Sequence, residues 1–564
     1  MMNAGRAIVE VLKAERVRAV FGIPGGHTLP IYDALYDTPE IRHILVRHEQ
    51  VAANMAAAYA QLTGEPGVCC ATAGPGATNL VSGIAEAFVG ALPIVILAGR
   101  GPAMTSHKGA SQEIAQELMF RPITKWSIRV DRADILIDIL RQAFTVARSG
   151  KPGPVLVDMP RDLLVQEISF DNYRPVGKPP GSRGDPQGLR AAVAALSRAE
   201  RPLLIAGGGV IAAGAYAELR QLAERLGAPV ATTLAGRGSL PDDHHLAAGG
   251  LGHHRTSLTK RLLPEADVVL GLGCRFEDQE TNWTPTYLPD PAACYIQVDI
   301  DPAEIGRSIV PQIGIVGDIK LVLRDMLDLL QAAAPGAAPT SAQPRLQQLA
   351  RDKEQLESEA RRMASPDQRP IHPLRVLREA REVFPRETSV AIDVGVLAQG
   401  MGGAYPYFKI FEPRSCIVPS SFYGMGFAAS GLPVAKLVYP DRPALGFVGD
   451  GSFQMISNVL PVAAECGLPV TWCILDDHAL GSIWDGQRNA FKGRFIATTF
   501  TVQPDFAQIA HACQCHGEKV ENPAQIRPAL ERARAANARG VPAVIDFIVA
   551  KERLAGSVEF FAKR

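Results

Sequence analysis

Two hydrophobic rhythms alternate along the chain. Continuous apolar runs of roughly four to eight residues predict buried strands. In the N-terminal part these runs are "RAVFGI", "HILV", "GVCCATA", "LPIVILAG" and "GPVLVDMP". The middle part has "RPLLIAGGG", "APVATTL", "ADVVLGLG" and "CYIQVDID", and the C-terminal part "SVAIDVG", "ALGFVGDG", "PVTWCILDD" and "PAVIDFIVA". Between them lie segments such as "EQVAANMAAAYAQLTG", whose pattern predicts a helix. Val/Ile/Leu runs separated by helices predict parallel sheets covered on both faces.

Two stretches break the rhythm. "DNYRPVGKPPGSRGDPQG", 171–188, is rich in Pro, Gly and charge, and "AAAPGAAPTSAQP", 332–344, is Ala/Pro-rich and aperiodic. The reading is therefore α/β: three tandem open, doubly wound parallel-sheet domains over residues 1–170, 189–331 and 370–555. The length agrees, because 564 residues exceed the roughly 250–300 at which a single core stops growing. In such sheets ligands bind beyond the carboxyl ends of the strands. The glycine-rich turns lie there.

Charge narrows the partners. Fifty-eight basic residues balance 58 acidic ones, so no global field favours nucleic acid or a membrane surface. No apolar run is long enough to span a bilayer, and "MMNAGRAIVEVLKAERV" is an amphipathic helix pattern without the apolar stretch of a secretory leader. Nine scattered cysteines, mostly inside apolar runs, suit buried thiols in a reducing compartment. The expectation is a cytoplasmic protein acting on small molecules. A Cys/His tract, His511, Cys513, Cys515 and His516, invites a zinc reading. On one short helix these positions diverge around the axis, so they read as ordinary thiols.

The chemistry concentrates in "FVGDGSFQM". Gly449, Asp450, Gly451 and Ser452 stand between a strand and a helix, the setting of a loop whose N–H groups approach a phosphate. Asp450 is an anion in that loop. A divalent cation resolves the conflict if Asp450 binds the metal and the metal binds the phosphates; hard oxygen ligands suit Mg²⁺. The next apolar run closes on Asp476 and Asp477, one helix and one strand further on. Adjacent parallel strands would bring these ends together.

Glycine-Asp-Gly-Ser followed by an acidic or amide pair at a strand end resembles the signature of thiamine diphosphate enzymes. "VFGIPGGHTLPIYDAL", "VRHEQVAANMAAAYAQLTGEPGV", "ATAGPGATNLVSGIAEAF", "FRPITKW", "VDIDPAEIG" and "GMGF" resemble the acetolactate synthase large subunit, nearly end to end from about Ala7 to about Ala550. The resemblance implies a pyrimidine-binding first domain, a central domain of FAD or ADP type, and a third domain for diphosphate and Mg²⁺. It implies that Glu49 is the cofactor-activating carboxyl group, exchanging a proton with the aminopyrimidine ring. Met425 would wedge the cofactor's two rings into a bent shape. Pro24, Thr72, Asn79, Gly395, Gly424, Gly449, Gly451, Ser452 and Asp477 would complete the cofactor site, with Asp450, Asp477 and the carbonyl of Ala479 on the metal. Gln112 and Lys125 match positions lining the substrate channel. The family's site lies between two chains, so a homodimer is the minimum unit and a homotetramer is common.

Three departures keep the reaction open. Val396 and Leu397 stand where the synthases have Gln and His, and Gln279 stands where they have Arg in "FDDR". His27 replaces a small residue and is similar to a histidine of the thiamine-dependent benzaldehyde lyase, where it would relay a proton to a substrate hydroxyl. The leading expectation is a carboligase that decarboxylates a 2-oxo acid such as pyruvate and adds the acyl unit to a second carbonyl. The alternatives are a carbon–carbon lyase or hydrolase acting on a 2-hydroxy ketone, cyclic dione or 2-hydroxyacyl-CoA, and a non-catalytic nucleotide-binding paralogue.

Overall fold

A computed structural model describes residues 1–170, 173–333, 343–395 and 405–551. Val396, Leu397 and residues 552–555 lie outside the described residues. Three six-stranded sheets, each flanked by helices, form the molecule. In the first the order is Arg42–Leu45, Ala19–Gly22, Gly67–Ala71, Ile94–Arg100, Pro154–Pro160 and Trp126–Arg129, all parallel. The second runs Ala247–Gly250, Val230–Thr232, Pro202–Ala206, Val268–Leu272, Cys294–Asp299 and Ile313–Val316. The third runs Cys416–Ile417, Ser389–Ile392, Ala444–Gly449, Thr471–Asp476, Ala543–Ile548 and His516–Val520.

The thirteen apolar runs read as strands all contain one. The two-stranded antiparallel pair Met2–Asn3 and Glu167–Ile168 was not visible in that pattern, nor were five strands of the six-stranded sheets: Trp126–Arg129, Ala247–Gly250, Ile313–Val316, Cys416–Ile417 and His516–Val520. Each of these five is an edge strand. Trp126–Arg129, Ile313–Val316 and His516–Val520 are only partly buried, so their residues need not form a continuous apolar run; Ala247–Gly250 is buried but made of the smallest residues, and Cys416–Ile417 is two residues long. The Cys/His tract also differs from its reading. The helix Phe506–Ala512 ends and the strand His516–Val520 begins inside it, so it is not one helix. Among the described residues no group of three or more His, Cys, Asp or Glu is arranged to hold a metal, and the cysteines are free thiols. No helix among them is long and apolar enough to cross a membrane.

The helix Glu49–Thr63 organises the core. It is buried at 11 of its positions, six of them alanines, and ends on Gly64 in the left-handed conformation. Small side chains let three elements press against it. A Cβ on Gly67 would lie 2.0 Å from the Ala56 carbonyl oxygen, and one on Gly83 would lie 2.5 Å from Ala53 Cβ. On its far side the helix Phe427–Gly431 of the third domain approaches, with Gly431 against Ala58 and Asn54 donating to Ser430 Oγ (2.9 Å). First and third domains therefore share one hydrophobic core.

A side chain at Gly431 would push these two helices apart, since its Cβ would meet Ala58 Cβ at 2.7 Å. Gly431→Val is expected to lower unfolding free energy by about 1–3 kcal/mol in urea titration, the usual cost of overpacking.

Candidate active site

Three strand ends of the first domain converge. After Arg42–Leu45 the chain enters the helix Glu49–Thr63, with His48 as N-cap accepting from the Gln50 N–H (3.2 Å). Glu49 is thus the first helical residue, where the helix dipole favours an anion. Its buried carboxylate accepts a hydrogen bond from Asn79 Nδ2 (2.9 Å). Asn79 lies on the helix Pro75–Val89, which follows the strand Gly67–Ala71. A Cβ on Gly76 would stand 3.3 Å from Glu49 Oε1 and 2.9 Å from Thr72 Cγ2. Glycine is what lets the carboxylate and Thr72 share this space. Thr72 Oγ1 meets His27 Nδ1 (3.1 Å), and the turn at Pro24 and Gly25 packs on the same threonine. Burial, then the charge of Arg161, hold the His27 imidazole below its usual pKa. Pro24, His27, Glu49, Thr72 and Asn79 thus form one contiguous wall. Gln112 lies at its rim: it is exposed, left-handed at φ 63°, and its backbone oxygen would sit 2.7 Å from a Cβ on Gly74.

The third domain supplies a second wall. Gly449 and Leu475 are in register, so Asp450 follows one strand and Asp476 closes its neighbour. Asp450, Asp476 and Asp477 are all buried. Burial first, then the charges of Asp476 and Asp477, push the Asp450 carboxyl well above the carboxylate range. Asp477 rises to about 6, again from burial first, with Lys551 working against the shift. Among the described residues neither Asp450 nor Asp477 forms an ion pair with Lys or Arg. Gln503 is the shared donor: its Nε2 reaches Asp450 Oδ2 and Asp476 Oδ1, each at 2.9 Å. A Cβ on Gly449 would meet nothing within 4 Å, which leaves room above the loop. Gly451 is the crowded glycine, with Leu480 Cδ2 2.8 Å from its would-be Cβ. Close carboxylates beside the open space at Gly449 fit a divalent cation carrying a phosphate. Ala479 is buried beside them and bridges to Thr499.

Met425 completes this wall. Its loop is pinned by Asp393, whose buried carboxylate accepts from Gly426 N (2.9 Å) and Ala429 N (2.8 Å). Gly426 needs its left-handed φ of 82° and the absence of a Cβ, which would lie 2.4 Å from Ile456 Cγ2.

Residues 2–119 match the thiamine pyrophosphate enzyme N-terminal TPP binding domain, 189–326 the central domain and 398–547 the C-terminal TPP binding domain. The chain belongs to the thiamine pyrophosphate enzymes. It is 36% identical to the probable acetolactate synthase large subunit of Methanocaldococcus jannaschii, over 97% of this chain and 92% of that one. It is 35% identical to the acetolactate synthase large subunit of Corynebacterium glutamicum, over 98% and 87%. It is 34% identical to the acetolactate synthase isozyme 3 large subunit of Escherichia coli, over 94% and 92%. The chain is thus a thiamine pyrophosphate-dependent enzyme of the acetolactate synthase type.

One feature of this thiamine pyrophosphate enzyme was missed in the residue pattern. Gln503 lies in a loop, away in sequence from the carboxylates it joins, and no motif marks it. The glycine-rich turns of the central domain border a cleft at the carboxyl ends of its strands, lined in part by Gly208, Thr233, Gly273, Asp299, Asp318 and Arg414. It opens between Pro202–Ala206 and Val268–Leu272, where the strand order reverses, the usual ligand position in such sheets. Gln279 also lines it, and its amide reaches the Ser420 carbonyl (3.4 Å).

Lys125 is not with the others. It precedes the strand Trp126–Arg129, at the amino ends of the sheet, opposite the side that carries Glu49. Its ammonium donates to the Val146 and Ser149 carbonyls, both at 2.5 Å, closing the end of the helix Leu136–Arg148. Burial lowers its pKa to about 8. Within this chain Lys125 is a helix-capping residue. Lys125→Met is expected to leave kcat and KM unchanged while lowering stability by about 1–2 kcal/mol in denaturant titration.

Proposed function

We propose that this chain uses thiamine diphosphate and Mg²⁺ to convert a 2-oxo acid such as pyruvate into an acyl carbanion equivalent and to add it to a second carbonyl. The observation that carries the reading is the buried Glu49 carboxylate, held by Asn79 at the head of a helix. Bound thiamine diphosphate supplies the electron sink for such chemistry. Glu49 exchanges a proton with the aminopyrimidine nitrogen and Asn79 fixes the carboxylate's direction. Asp450, Asp477 and the Ala479 carbonyl hold the metal. Gly449, Gly451 and Ser452 offer backbone and hydroxyl groups to the diphosphate, with Gly395 and Gly424 nearby on the same wall. Met425 supports the rings from below. Gln112 stands at the mouth.

A second copy of the chain completes the site. Gly76, beside Glu49, and Glu86, beside Gly424, lie ten residues apart on one helix, so roughly 15 Å separates them along its axis. Glu49 and Met425 of one chain thus lie too far apart to grip one pair of linked rings. Large apolar side chains are left in solvent around both walls: Met104 is 73% exposed, Ile496 77% and Val502 84%. A dimer that covers them and pairs unlike walls accounts for both facts, and a tetramer extends it. The central cleft suits a nucleotide, FAD or ADP; flavin or adenine absorbance released on denaturation distinguishes them.

His27 favours a second reading, carbon–carbon lyase action on a 2-hydroxy ketone. Its depressed pKa leaves it neutral near pH 7, and it stands on the Glu49 wall through Thr72. Pyruvate, benzoin, acetoin, cyclic diones and hydroxyacyl-CoA, with products identified by mass spectrometry, separate the two.

Circular dichroism is expected to respond to thiamine diphosphate plus Mg²⁺, and no response would remove both readings. Glu49→Gln is expected to bind the cofactor yet lose about 100-fold or more in kcat, the usual scale of acid–base catalysis. Asp477→Asn is expected to keep activity and Mg²⁺ dependence, because an amide oxygen still ligates a hard cation.

A further inference from the structure

Glu86 is buried, near the end of the helix Pro75–Val89 that carries Asn79. Neither the cofactor walls nor the hydrophobic core explains an acid there. Its carboxylate reaches out of the first domain into the third. Oε1 accepts from the Ser420 backbone N–H, and Oε2 from the Gly424 N–H (2.9 Å). Ser420 Oγ donates to the Glu86 carbonyl (3.4 Å). A Cβ on Gly424 would lie 2.9 Å from Oε2, so the loop comes to the carboxylate as closely as glycine allows. Burial pushes the Glu86 pKa up, against the pull of the Ser420 and Gly424 donors.

The segment thus held runs straight into Met425. It contains Tyr423 at φ 56°, a conformation that bulky residues disfavour. The central domain reaches it too, since Ser421 Oγ donates to Glu277 Oε2 (2.6 Å). Beyond Met425, Asp393 takes over through Gly426. Without Glu86 two inward-facing N–H groups lose their acceptor, and the strained turn loses its anchor on one side.

We propose that Glu86 is a positioning residue that fixes the Ser420–Gly424 turn and thereby sets Met425 against the cofactor. This rests on the thiamine diphosphate reading above. It also places Asn79, which steers Glu49, and the anchor of Met425 on one rigid helix. In a dimer with unlike walls paired, these two ends serve different sites, so Glu86 joins the support of one site to that of the other.

The test compares Glu86→Ala and Glu86→Gln with the parent. In cofactor-free protein, hydrogen exchange is expected to speed up at Ser420 and Gly424 in Glu86→Ala, while the strand Ala444–Gly449 stays protected. With Mg²⁺ in excess, thiamine diphosphate affinity is expected to fall by about tenfold or more, the scale of losing hydrogen bonds to a charged acceptor. Glu86→Gln keeps one acceptor oxygen and the side-chain volume, so it is expected to fall between; it carries the test should the alanine variant not fold. Unchanged exchange at the two amides overturns the clamp. Faster exchange with unchanged cofactor affinity, or only a lower melting temperature, reduces Glu86 to a structural role and overturns the proposal. A parent that binds no thiamine diphosphate removes the functional reading and the Met425 role with it, and the exchange measurement still decides the clamp.

Discussion

A carboxylate taken out of water must find donors or a cation. This chain buries several acids at strand ends and one near a helix end, and surrounds them in two ways. Asp393 and Glu86 are answered by backbone N–H groups, and each answer fixes a piece of the loop that carries Met425. Among the described residues Asp450, Asp476 and Asp477 meet no Lys or Arg in an ion pair; Gln503, the His478 ring and short backbone contacts are what face them. Crowding three buried acids at neighbouring strand ends is unfavourable in the metal-free chain, and it suits the divalent cation proposed above.

The same loop is where the domains converge. Ser420 to Gly426 touches Glu86 of the first domain, Glu277 and Gln279 of the central one, and Asp393 of its own. The two outer sheets share a core through the Ala-rich helix, so these contacts close a structure already joined by packing. The central sheet is tied on by polar contacts such as these, and its ligand cleft opens between it and the other two domains.

Much of this was legible in the sequence, for a physical reason. Strands covered on both faces must be apolar throughout, so the inner strands announced themselves, whereas the partly buried "WSIR" and "HGEKV" did not. Asp450 was legible because it sits where a strand run stops and a helix begins; Glu49 has the same setting, but only the family resemblance marked it. Glu86 and Gln503 were not legible, because the partners of Glu86 lie hundreds of residues away and Gln503 itself stands in a featureless loop. Lys125 misled for the opposite reason. Its neighbours resemble a channel segment, yet its ammonium faces helix carbonyls at the other end of the sheet.

The alanines of Glu49–Thr63 act as spacers as well as filler. The methyl groups of Ala53 and Ala58 meet Gly83 and Gly431, and the backbone of Ala56 meets Gly67. The distance from the first sheet to the third is therefore written in side-chain volumes of one methyl group, not in the length of any linker. A family built this way can vary its chemistry at residues such as His27 and Gln112, which stand on turns. The separation of its two walls leaves far less latitude, because every larger side chain on that helix would be read directly as a displacement of the reacting groups.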